Sequence, residues 1–124
     1  MSVKEEVRGC LIALEALLSE IEEIMGLIAD KKQLLGAKKK HAQEKLKIFK
    51  QKLEYEYWRI STRRGKGSLN EIEKKYYAPV VRQLSANLHI RSNSIPGSMW
   101  QAELGDLLSK SCVHIDQLRK QLEH

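Results

Sequence analysis

Seven apolar side chains, Val7, Cys10, Leu14, Leu17, Ile21, Ile24 and Ile28, recur at alternating spacings of three and four near the start of this chain. That rhythm puts all of them on one side of an α-helix, so the spacing predicts a helix over Val7 to Ile28 that must bury that side against something. Leu11, Leu18 and Met25 widen the stripe. A stripe this broad belongs to a bundle helix; a two-stranded coiled coil needs only a narrow seam. Glu5 and Glu6 fall in the first turn and Lys31 and Lys32 are expected in the last, as the helix dipole prefers, with Gly36 placed to end the helix.

A second stripe, Ala42, Leu46, Phe49, Leu53, Tyr57 and Ile60, keeps the same rhythm but is out of phase with the first. Either the chain turns back near Gly36 as an antiparallel hairpin, or one helix of about 90 Å runs through with a stutter. No Ser, Thr, Asp or Asn lies between Lys31 and His41 to start a fresh helix, and Lys38, Lys39 and Lys40 sit where a new N-terminus disfavours cations. Charge favours the hairpin. Residues 1–30 carry two basic and seven acidic side chains, whereas residues 31–66 carry thirteen basic and three acidic. Folding the second segment onto the first sets opposite charges side by side, and the hairpin is the expected arrangement.

Residues 61–68, STRRGKGS, read as a basic loop. Ser68 to Glu71 has the capping-box pattern for a third helix, with Leu69, Ile72 and Tyr76 inward and a kink or restart expected at Pro79 before Val80, Leu84 and Leu88. Residues 91–97, RSNSIPG, form a second loop. Ser98 to Gln101 is another capping box, opening a fourth helix along Leu104, Leu108, Ser111, Ile115 and Leu118. The expected fold is all-α: a long antiparallel helical hairpin with two shorter C-terminal helices, resembling a four-helix bundle. Residues 1–121 form one domain, and Leu122 to His124 look like a purification-tag remnant.

The formal charge of +6 comes from 22 Lys and Arg against 16 Asp and Glu. No apolar run is long enough for a membrane span and no signal-peptide pattern opens the chain, so a cytoplasmic protein is expected. Two cysteines, Cys10 and Cys112, lie inside apolar helical patterns and read as small buried hydrophobes. Cys112 and His114, two positions apart on a helix, point about 200° apart and cannot share a metal. Phosphate-binding glycine loops, zinc motifs and nucleophile elbows are all missing, so no metal, cofactor or small-molecule ligand is expected. Arg82 and His89 lie two turns apart on an expected helix, and an arginine beside a histidine can hold a phosphate next to a general base. The pair is similar to the Arg and His pattern of the HEPN ribonuclease superfamily, whose members are all-helical. The likeness covers those two residues and implies only a weak alternative, a metal-independent ribonuclease.

The second helix carries the features that bear on binding. Lys38, Lys45, Lys52 and Arg59 recur every seven residues along one ridge, which Arg63 continues, and Arg64 and Lys66 follow in the loop. On the side away from the expected core lie Ile48 and Tyr55, with Trp58 near them and Lys40, Lys47 and Lys52 flanking. Cations neutralise phosphate and aromatic faces stack on unpaired bases, which makes these residues candidates for contact with DNA or RNA. The same charge segregation also suits head-to-tail assembly or recruitment of an acidic protein or membrane surface. The leading expectation is a non-enzymatic helical interaction module that self-associates or binds a protein partner. A nucleic-acid-binding protein is the alternative.

Overall fold

The computed structural model describes residues 3–29, 35–61 and 71–123, and all that follows concerns these. Four α-helices account for nearly all of them: α1 (Val3–Ile28), α2 (Ala37–Ser61), α3 (Ala78–Asn87) and α4 (Ser98–Glu123). A single π-helical turn, Glu73–Tyr77, leads directly into α3. The fold is all-α, as expected, and the chain does double back at Gly36. That glycine takes φ +69°, a left-handed conformation that costs other residues a clash at Cβ.

Gly36 does a different job from the one expected of it. Helix α1 has already stopped at Ile28, and Gly36 instead opens α2, its carbonyl accepting the Lys40 amide at 3.3 Å. Glycine is an acceptable N-cap, which is how α2 starts without Ser, Thr, Asp or Asn. Lys31 and Lys32 fall outside the described residues, as do Ser68, Leu69 and Asn70 of the expected capping box.

Ion pairs between Glu23 and Lys45 and between Glu20 and Lys52 fix α1 and α2 antiparallel. Helix α4 returns along the other flank of α1: Gln101 reaches Ile28, Gly105 faces Met25, and Arg119 pairs with Glu15. Helix α3 lies beside α2, again antiparallel, with Tyr77 bonded to Glu56 near one end and Lys50 bonded to Ile90 further along. The result is an up-down-up-down four-helix bundle. Its last helix is not shorter than the hairpin helices, since α4 and α1 both have 26 residues, about 39 Å.

The stripes read from the sequence are the core, except that Tyr57, expected inward, is 45% exposed at the α3 edge of the α2 stripe, where it lines a groove with Ser85 and Leu88. Leu14, Ile21, Ile24 and Ile28 of α1 meet Leu46 and Phe49 of α2, Val80 and Leu84 of α3, and Leu104, Leu107 and Leu118 of α4, all buried. Trp100 closes one end, its indole N–H donating to Ser94 Oγ at 2.9 Å. Further local expectations need correction. Tyr77 is the buried tyrosine of the third helical segment, and Ile72 and Tyr76 are only half-buried, because the π-turn inserts a residue and rotates the register. In α4 the inward residue is Leu107, with Leu108 half-buried, and Cys112 is exposed. Ser111 holds the inward position and Cys112 lies about 100° round the helix from it. Gln101 does not complete a capping box: its amide donates to Ile28 O at 2.5 Å and so caps the end of α1. Leu122 and Glu123 continue α4, and Leu122 packs against the core.

Candidate functional site

The basic ridge of α2 is largely committed inside the molecule. Lys45 Nζ donates to Glu23 Oε2 at 2.8 Å, and this bond holds the Glu23 carboxyl below the ordinary carboxylate range. Lys52 is bonded to Glu20. Arg59 donates through Nε to Glu56 Oε2 at 2.7 Å and through Nη2 to Glu73 Oε2 at 3.4 Å. The Glu56 bond in particular raises its already high pKa. Lys38 is exposed and makes no ion pair with any described residue. Arg63, Arg64 and Lys66 lie outside the described residues. The ridge read from the sequence is therefore real as a line along α2, but its central cations serve the hairpin.

The aromatic side chains behave otherwise. Helix α2 uses one edge for α1 and the other for α3, and its remaining face points away from the bundle. Ile48, Tyr55 and Trp58 all lie on that face, with Tyr55 63% and Trp58 62% exposed. Glu44, Lys47, Gln51 and Glu54 surround them, all but Gln51 charged and every one exposed. No described ion pair or hydrogen bond engages the side chains of Lys40 or Lys47. An indole and a phenol left this open in mid-helix offer large, rigid contact area at low entropic cost.

A second polar cluster ties the end of α2 to the π-turn. Tyr77 is only 4% exposed, and its hydroxyl donates to Glu56 Oε1 at 2.8 Å. Burial raises the phenol's pKa well above its ordinary value, and the adjacent Glu56 carboxylate adds to the effect. The Arg59 guanidinium stacks over the Tyr77 ring at 5.8 Å. Together with Glu5, Glu6 and Cys10 these residues line a cavity of about 280 Å³. Burial, reinforced by Glu73 and Glu6, also raises the Cys10 thiol. A nucleophilic cysteine needs the reverse shift. The Tyr77–Glu56 and Arg59–Glu73 bonds of this cluster tie the π-turn to α2.

Sequence spacing could not have found Glu56 and Tyr77 as partners, because 21 positions and a change of helix separate them. It also missed Glu103, whose Oε2 accepts the His89 and Ile90 amides at 2.9 and 2.7 Å. That pair of bonds exists because α3 ends at Asn87 and Leu88 is extended. His89 therefore does not share a helical face with Arg82, and both are exposed. Among the described residues no group of three or more His, Cys, Asp or Glu could hold a metal ion. No helix among them is long and apolar enough to cross a membrane. No family model matches the sequence, and no curated protein or solved structure matches it.

Proposed function

We propose that this chain is a non-enzymatic helical interaction module whose contact surface is the outward face of α2. The observation that carries this reading is the pair Tyr55 and Trp58, each more than three-fifths exposed on one face with Ile48. Covering both rings removes apolar surface worth on the order of 5 kcal/mol, before the costs of association are subtracted. Phe49 and Trp100, by contrast, are spent entirely on the bundle.

Contact with DNA or RNA is a second reading, supported by Lys40 and Lys47 flanking the same aromatic residues. It would use Lys38, Lys45, Lys52, Arg59, Tyr55 and Trp58, with Arg63, Arg64 and Lys66 beyond the described helix. Exposed ion pairs such as Lys52 with Glu20 exchange for phosphate at little cost. It has to give up pairs the fold already makes, which the aromatic reading does not.

A photo-reactive phenylalanine derivative in place of Gln51, centred in the face, tests both. Irradiation in living cells should give protein adducts that disappear when Tyr55 and Trp58 are changed to Ala. Adducts removed by nuclease instead favour the second reading. An absence of adducts dependent on Tyr55 and Trp58 refutes both.

A further inference from the structure

Resting on the reading of α2 as a contact surface, we propose that its occupant is α2 of a second copy of this chain, laid antiparallel about a two-fold axis near Gln51. The outward face is a seam in its own right. Glu44, Ile48, Gln51, Tyr55 and Trp58 follow one another at spacings of four, three, four and three, the repeat along which two helices pack. This second stripe lies on the opposite side of α2 from the core stripe of Leu46, Phe49 and Leu53, so one helix carries two packing faces and the bundle fills only one.

Charge selects the partner and the direction. The chain is +6 overall, which opposes self-association in general. The seam and its outer edge are balanced, however: Lys40 and Lys47 are matched by Glu44 and Glu54. Lys47 and Glu54 lie seven residues apart on the same edge, about 10 Å along the axis. Antiparallel helices set like edges against each other, so Lys47 meets Glu54 of the second copy and Glu54 meets its Lys47. The same operation brings Ile48 beside Tyr55 of the second copy and Glu44 beside its Trp58, where the carboxylate can accept the indole N–H. On the inner edge Lys52 approaches its own equivalent and Lys45 approaches Arg59 of the second copy, but Lys52, Lys45 and Arg59 are already bonded to Glu20, Glu23 and Glu56 of their own chain. A parallel pair lacks these advantages, because it stacks Glu44 on Glu44 and turns Lys47 toward Lys52. Two helices of 25 residues give an interface at the lower end of the range for specific complexes, and because area does not set affinity the test spans a wide range of concentration.

Sedimentation equilibrium of the full chain, from about 1 µM to about 1 mM, reads this directly. The expected result is a concentration-dependent rise to twice the monomer mass. Lys47→Glu alone and Glu54→Lys alone should each weaken dimerisation roughly tenfold by turning two attractions into two repulsions. An equimolar mixture of the two variants should regain wild-type affinity, because both contacts between positions 47 and 54 are again between opposite charges. Both substitutions are on the exposed face, and unchanged far-UV circular dichroism will show that each variant folds. A chain that stays monomeric at 1 mM overturns the inference while adducts from Gln51 to another molecule leave the contact surface standing. A dimer indifferent to both charge reversals, or one that the mixture does not restore, also overturns it.

Discussion

Replacing Tyr77 with Phe deletes one oxygen from the bundle and isolates what that oxygen does. The phenol is buried and donates to a Glu56 carboxylate that Arg59 also holds. Hydrogen bonds to charged groups are worth about 1.5 to 3 kcal/mol. Glu56 keeps its arginine and about a quarter of its side-chain exposure, so water partly compensates and the loss should sit at the lower bound, about 1.5 kcal/mol. For a domain of this size that lowers the melting midpoint by about 5 °C. The difference should also depend on pH in a defined direction. Folding raises the Tyr77 pKa, so the neutral phenol is favoured in the native state. The stability this confers is complete below the unfolded value near pH 10 and is lost as pH rises toward the folded value. One unit above pH 10 the unfolded chain gains about 1.4 kcal/mol by ionising this tyrosine, which the phenylalanine variant cannot do. Urea unfolding followed at 222 nm should therefore show the wild type clearly more stable at neutral pH and the two proteins equal at about pH 11. A gap that persists unchanged to that pH, or no gap at neutrality, refutes the role assigned to the Tyr77 hydroxyl.

Two further substitutions probe the joints of the fold. Gly36→Ala should cost about 1 kcal/mol by denaturant titration, since its φ of +69° penalises a side chain although no atom lies within 4 Å of the added carbon. Unaltered stability would show that the turn does not need its left-handed residue. Glu103→Ala strips two backbone amides of their acceptor and should cost about 1 to 2 kcal/mol, with faster hydrogen exchange at His89 and Ile90. Equal exchange in both proteins would mean that water serves those amides as well as the carboxylate does.

Periodicity and charge order along the chain were enough to reveal the helices, their buried sides and the reversal at Gly36, because those properties repeat within a few residues and need no partner to be visible. Leu14, Ile21, Leu46 and Phe49 could be assigned to the core for that reason. Ile48, Tyr55 and Trp58 were legible as an outward group on the same basis, since a helix with one core stripe has a determinable opposite side. The ridge of Lys45, Lys52 and Arg59 was legible as a line but not as a set of committed ion pairs, for a lysine's spacing says nothing about which carboxylate a neighbouring helix brings up to it.

What tertiary structure alone decided are the contacts between segments distant in sequence and the local breaks in regularity. The π-turn before Pro79 rotated the third helical segment by one residue and buried Tyr77, which a regular periodicity places elsewhere. The early end of α3 separated His89 from Arg82, and Gln101 was drawn away from its own helix start to the carbonyl of Ile28. A helical pattern records which side of each element seeks burial; where one element stops, and which polar group on another answers its free amides and carbonyls, is settled only when the elements pack.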